Sequence, residues 1–253
     1  MGSIVAAIPA RLRSTRFSEK ILAELGGVPV LKRVLQRVQQ AAVFDDIVAL
    51  VDNTKVKQLI QSWGFQAILT DENCNSGTER ITSVLDQLKG DFIVNVQGDE
   101  PFISLDLLKN IADKLHEDTS IEMLTAIYKI QDPEYLKNPN RVKVVINKNH
   151  QALYFSRNCI PFQRDASPSE DWTKRCDYWG HLGIYAYARD LLARYSELSE
   201  STLEQFERLE QLRFLENGIA IHCIFADEPS IGIDVPEDLH RAEQFLKAHP
   251  EFK

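Results

Sequence analysis

Four short apolar runs, Ile4 to Ile8, Ile47 to Val51, Ala67 to Leu69 and Phe92 to Val96, alternate with stretches whose apolar residues recur at helical spacing. Val30, Leu31, Val34, Leu35, Val38 and Ala42 make one such face, and Val56, Leu59, Ile60 and Trp63 the next. Ile81, Val84, Leu85 and Leu88 make a third, and Leu107, Leu108, Ile111 and Leu115 a fourth. Apolar runs bounded by turn residues read as buried strands, and the periodic stretches as amphipathic helices. Strand and helix at this interval imply right-handed crossovers. The expected class is therefore α/β, with a mostly parallel, Rossmann-like sheet covered by helices on both faces.

From about residue 121 the rhythm changes. Met123 to Ile130, Val142 to Ile146 and Ala152 to Ser156 read as strands with no long helix between them, the last two joined by a hairpin turn at Asn147-Lys148-Asn149-His150. Leu182 to Tyr187 reads as a further strand followed by a helical tract to Asn217-Gly218, Ile219 to Phe225 and Ile231 to Ile233 as strands, and Pro236 as the first residue of a last helix. The polar segment from Gln163 to Tyr178 reads as a mobile stretch or a lid. We expect one domain over 1–253, with 121–190 holding a smaller β-rich subdomain.

Composition narrows the function classes. A net charge of −8 over 253 residues disfavours nonspecific binding to nucleic acid or to a membrane surface, while leaving room for a small anion in a local positive pocket. No apolar run reaches membrane-spanning length. Cys74, Cys159, Cys176 and Cys223 lack the close pairing of a zinc site or a disulfide framework. The opening Met1-Gly2-Ser3-Ile4 has no basic and apolar leader pattern, so the expected location is the cytoplasm.

Against that acidic background, Arg11, Arg13, Arg16 and Lys20 stand together just after the first strand, with Glu19 among them. Pro9 lacks an N–H and is expected to stop the strand there. A cation-rich loop at a strand end suits phosphates, although clustered cations also serve as ordinary solvated surface. Asn73-Cys74-Asn75-Ser76-Gly77-Thr78-Glu79-Arg80 is a second such loop, open to a nucleotide or simply a capped helix start. The third is Val96-Gln97-Gly98-Asp99-Glu100-Pro101. Asp99 and Asp234 each follow an apolar run, a setting that serves either a divalent cation or a turn or helix cap. Arg157 and Arg164 suit a carboxylate ligand, and His181, Tyr185, Glu210 and Gln211 form the remaining polar set.

Taken in order, Ile8-Pro9-Ala10-Arg11 with Ser14-Thr15-Arg16 and Lys20, Asn75 to Arg80, and Val94 to Pro101 resemble the CMP-Kdo synthetases. The resemblance continues through Ala152 to Arg157, His181 to Tyr187 and Leu209 to Arg213, so that it runs from residue 4 to about residue 245. These enzymes are 3-deoxy-manno-octulosonate (Kdo) cytidylyltransferases of the nucleotide-diphospho-sugar transferase type.

The resemblance implies a magnesium-dependent nucleotidyltransferase that joins CTP and Kdo into CMP-Kdo and pyrophosphate for lipopolysaccharide synthesis. It also implies a homodimer held through the β-rich arm. Arg11, Ser14 and Lys20 would hold the triphosphate, and Ala10, Ser76, Arg80 and Gln97 would line the cytidine side. Asp99 and Asp234 would bind Mg2+. Arg11, Lys20, Asp99 and Asp234 are thus the expected catalytic set. Arg157, Arg164, His181, Tyr185, Glu210 and Gln211 would face the sugar acid.

Two departures from the family pattern stand out. Ser18-Glu19 precede Lys20 where the family usually has Pro-Gly, and the segment from Gln163 to Tyr178 is longer than usual. The alternatives are a cytidylyltransferase for 8-amino-Kdo or sialic acid, and a metal-dependent glycosyltransferase using a nucleotide sugar. The last expects an Asp-x-Asp pair, which Gly98-Asp99-Glu100 only partly resembles.

Overall fold

The computed structural model describes residues 2–12, 17, 19–165 and 172–252. Its contacts divide the chain into two units, 1–119 with 230–253, and 120–229. The second unit thus reaches well past the boundary at 190 that strand content alone suggests.

In the first unit, β1 (Ile4–Ala10) lies between β6 (Phe92–Asn95) and β4 (Asp46–Val51), with β5 (Gln66–Leu69) beyond β4. All three pairings are parallel. The crossovers run through α1 (Val30–Ala41), α2 (Thr54–Ser62) and α3 (Gly77–Thr82). The chain moves one way along the sheet from β1 to β5 and then returns across β1 to β6. Right-handed crossovers in opposite directions put α1 and α2 on one face and α3 on the other. The reversal also makes the β1/β6 crevice the topological switch point, where ligands bind beyond the carboxyl ends of the strands.

Two local expectations change. β1 continues through Pro9 to Ala10, with Pro9 in register opposite Leu50. Ala7 accepts from the Val96 N–H on the β6 side. Two residues on, Pro9 faces that same side, beyond the point where the β1–β6 pairing ends at Ala7 and Asn95. Its missing N–H therefore costs the sheet nothing. Residues 231–233 form no strand; the Ile233 N–H instead donates to the Asp99 carbonyl at 3.0 Å.

A satellite core fixes this part of the unit. Leu25, Val30, Phe102, Ile233, Ala242 and Leu246 are buried together, with Phe17 and Phe245 packed against them. Leu25 belongs to the hairpin β2 (Glu24–Leu25) and β3 (Val28–Pro29), whose turn residues Gly26 and Gly27 both have positive φ, as a tight hairpin requires. Ala242 and Leu246 come from α10 (Pro236–Ala248), which begins with Pro236 at N1 as expected. The α4 helix (Leu105–Glu117) packs on α1.

The second unit carries β7 (Met123–Lys129), α5 (Pro133–Lys137), β8 (Lys143–Ile146) and β9 (Ala152–Ser156). After these come α6 (Trp172–Arg175), β10 (Trp179–Ala188), α7 (Arg189–Ala193), α8 (Thr202–Glu207), α9 (Gln211–Glu216) and β11 (Ile221–Ala226). β7 pairs parallel with β11 and antiparallel with β10, and β10–β8 and β8–β9 are antiparallel. β10 bulges between Leu182 and Tyr185, where the Thr125 hydroxyl donates to the Ile184 carbonyl at 2.7 Å. The expected helix after β10 is broken into short pieces, the last closed by Gly218 at φ 77.

Candidate active site

At the carboxyl ends of β1 and β6 the first unit encloses a cavity of about 250 Å³. Ala10 and Arg11 leave β1 into it, Gln97 and Asp99 follow β6, and Ser76 and Arg80 come from α3 and its cap. Lys20 and Asp234 complete the wall. Every expected triphosphate, cytidine and metal residue is therefore in this one cavity, except Ser14, which lies outside the described residues.

The satellite core explains why such distant residues meet. Phe17 sits three residues before Lys20, Phe102 three after Asp99, and Ile233 immediately before Asp234, and all three pack in one cluster. Burying them together carries the three polar side chains to one place. The Lys20 ammonium donates to both Asp99 and, at 2.9 Å, Asp234. Burial alone would lower the Lys20 pKa, but the two carboxylates outweigh it and the net shift is upward. The ammonium therefore persists at any ordinary working pH.

Asp238 is a residue the sequence reading missed. Its carboxylate accepts from the Asp234 and Val235 N–H groups at 2.8 and 3.0 Å, fixing the backbone that presents Asp234. Burial pushes its pKa up; those two N–H groups and Arg241 more than reverse this, leaving it below the usual range. An acid at the third position of a helix that opens with proline was the available signal.

Gly98 shows why the β6 loop needs glycine. A Cβ there would stand 2.9 Å from the Pro9 carbonyl oxygen and 3.2 Å from the Ala10 Cβ, so the 97–99 turn can lie against β1 only without one.

Arg80 is buried, and its guanidinium donates to Thr70 Oγ1 and, at 3.2 Å, to the Asp71 carbonyl. Both partners are neutral oxygens, so among the described residues no carboxylate bond cancels the positive charge facing the cavity. Ser76 spends its hydroxyl as the α3 cap, accepting from the Glu79 N–H at 3.0 Å. The capping reading of this loop thus holds for Ser76, and Ser76 and Arg80 both line the cavity.

Glu19 occupies the left-handed region, with φ 54. This is where the family pattern has glycine, so the fold imposes the same backbone on a residue less suited to it. We expect Glu19→Gly to stabilise the protein by about 1 kcal/mol. A higher urea midpoint with an unchanged slope would show it, and an unchanged midpoint would refute it.

In the second unit, His181, Tyr185 and Gln211 form a connected set. Tyr185 donates its hydroxyl to Gln211 Oε1 at 3.0 Å, and the His181 and Tyr185 rings are 5.4 Å apart. Thr125 Oγ1 lies 2.9 Å from His181 Nε2. Since that hydroxyl already donates to Ile184, we assign the proton to Nε2. Burial pushes the imidazole pKa down, so His181 is neutral near pH 7. Glu210 is the cap residue immediately before Gln211.

Arg157 and Arg164 take up different settings. Arg157 donates from Nε to the Glu207 carbonyl at 2.7 Å, from Nη1 to Pro139 at 3.0 Å and from Nη2 to Arg208 at 3.3 Å. Three of its five N–H groups are thus given to backbone, which braces the side chain. Glu207, also unforeseen, accepts from Ser156 and from the Arg157 N–H at 2.6 and 2.9 Å. A lone Glu in a short polar helix carries no sequence signal of that role. Arg164 is exposed on a turn.

The chain matches the cytidylyltransferase family model over residues 5–221. It is 43% identical over 245 residues to the 3-deoxy-manno-octulosonate cytidylyltransferase of Bacteroides thetaiotaomicron, covering 95% of this chain and 96% of that one. The enzyme of the same name from Francisella tularensis subsp. novicida is 41% identical over 251 residues, covering 97% and 99%. A solved structure of CMP:2-keto-3-deoxy-manno-octonic acid synthetase complexed with CTP superposes with a TM-score of 0.91 at 34% identity, covering 98% of this chain and 99% of that one. Likeness at this level over nearly the full length, with the cavity at the switch point of the sheet, makes this chain a member of the cytidylyltransferase family, within its 3-deoxy-manno-octulosonate branch.

Proposed function

We propose that this chain transfers the cytidylyl group of CTP to the anomeric hydroxyl of Kdo, giving CMP-Kdo and pyrophosphate. The observation that carries the reading is the cavity in the first unit, where Arg11, Lys20 and a buried Arg80 meet a pair of carboxylates. It is supported by the CTP complex of the structural relative and by the names of the sequence relatives.

The reaction needs positioning and charge neutralisation more than covalent help. The sugar hydroxyl gives up its proton to solvent as its oxygen bonds to the α-phosphorus, the bond from that phosphorus to the α–β bridging oxygen breaks, and pyrophosphate leaves with the electron pair. Arg11 and Lys20 take up charge on the departing phosphates, and Arg80 with Gln97 and Ser76 holds the cytidine end. Tyr185, Gln211 and neutral His181 supply hydrogen bonds for the sugar acid, with Glu210 beside them.

Asp99 and Asp234 fit a divalent cation, since their carboxylates already converge on one ammonium. Magnesium accepts one or two carboxylates plus water and phosphate oxygens. Bound there, it would lower the pKa of the attacking hydroxyl and neutralise phosphate charge. The second carboxylate comes from far along the chain, unlike the Asp-x-Asp pair of the glycosyltransferase alternative.

A homodimer through the second unit is supported by exposed Leu153, Phe162 and Phe206, 60%, 75% and 83% accessible. The cytoplasm is supported by four free thiols, and no helix among the described residues is long and apolar enough to cross a membrane. The test is pyrophosphate release from CTP with Kdo, 8-amino-Kdo and sialic acid, with and without magnesium, beside UTP and ATP. No release from CTP and Kdo with magnesium present would sink the proposal.

A further inference from the structure

Asn95 ends β6 opposite Ala7 of β1, fully buried. Neither its side-chain carbonyl oxygen nor its side-chain nitrogen has a hydrogen-bond partner among the described residues. Leaving a buried amide unpaired costs its full desolvation, which is why such groups are rare and call for an explanation. This amide lies directly under the cavity wall. A Cβ added to Gly77 would stand 3.1 Å from Asn95 Nδ2, 3.6 Å from Oδ1 and 3.6 Å from Pro9 Cγ. Gly77 and Pro9 both line the cavity, while Asn95 sits one layer behind them.

We propose that Asn95 is a positioning residue for the nucleotide: its amide is unpaired in the free protein and gains partners from the Ser76–Gly77 wall when a nucleotide fills the cavity. Glycine at 77 places no side chain between the wall and the amide, so a small movement of the Ser76–Gly77 backbone can bring it into bonding contact. The desolvation carried by the free protein is then relieved on binding. That relief favours the occupied state without any contact between Asn95 and the ligand. The inference rests on the nucleotide reading of the cavity.

The test uses Asn95→Leu, which keeps the branched shape and removes the polar atoms, and Asn95→Ala, which cannot overpack. Thermal unfolding is followed with and without CTP, and steady-state kinetics give KM for CTP and kcat. For Asn95→Leu we expect a free-protein Tm equal to wild type or higher by about 3 °C. We also expect a diminished CTP-induced shift, KM raised about tenfold, and kcat within about threefold. Asn95→Ala should show the same KM rise.

A CTP shift and KM like wild type in either folded variant would overturn the proposal. So would free-protein Tm values lowered in both, or failure of both to fold, because the amide would then already be partnered. A wild-type Tm that CTP does not move would instead overturn the nucleotide reading itself, keeping the two failures apart.

Discussion

Asp99→Ala is expected to lower turnover at least about a hundredfold while leaving the folded protein intact. Removing one interaction that stabilises developing charge typically costs about 3 kcal/mol of transition-state stabilisation, and each 1.4 kcal/mol is about tenfold in rate. The fold should survive because the local frame does not depend on the carboxylate. The Asp99 carbonyl still accepts from Ile233, and the cluster containing Phe102 and Ile233 is untouched. Circular dichroism and the urea midpoint check the second half of the claim. Wild-type turnover with normal magnesium dependence would remove Asp99 from the mechanism.

Lys20→Met should be comparably damaging, and informative in a way that activity alone is not. Turnover should again fall about a hundredfold if the Lys20 ammonium neutralises the departing phosphates as proposed. Metal affinity without nucleotide should move the other way. In the wild type the ammonium holds both carboxylates, so a divalent cation must displace it. Methionine removes that competitor while keeping most of the side-chain bulk. Calorimetric titration with magnesium should therefore show tighter binding to Lys20→Met than to wild type, and equal or weaker binding would refute the idea.

The sign of the Lys20 shift also sets a pH expectation. Its folded pKa lies above the reference 10.5. The stability it contributes is fully present below 10.5 and lost only as the pH rises through the higher folded value. The ion-pair contribution should thus be flat through neutral pH.

The class of fold was legible because it is written in local periodicity. Ile4 to Ile8, and Phe92 to Val96 apart from Asn95, are short apolar runs set between helical stretches, the pattern of buried strands. Where a reading failed, the cause was a neighbour the sequence does not display. Pro9 stays in β1 because the β6 pairing has already ended beside it. Residues 231–233 alternate like a strand, yet Ile231 and Ile233 pack in the satellite core and the Ile233 N–H goes to Asp99. Arg157 gives three of its N–H groups to the carbonyls of Pro139, Glu207 and Arg208, a bracing role that its sequence context does not display.

The candidate site divides in the same way. Arg11, Lys20, Asp99 and Asp234 could be singled out from their positions after apolar runs, because strand ends and charged loops are local facts. Asp238 and Asn95 could not, since the first acts on the backbone of Asp234 and the second is defined by what it lacks. By itself the sequence determined the alternation of strand and helix, the parallel sense of the first unit and the residue types able to meet a triphosphate. Only the tertiary structure decided that Lys20, Asp99 and Asp234 share one point and that the amide of Asn95 has no partner among the described residues. Both follow from packing distant segments together, and burial of Phe17, Phe102 and Ile233 in one cluster is a property of the folded chain that no window of sequence contains.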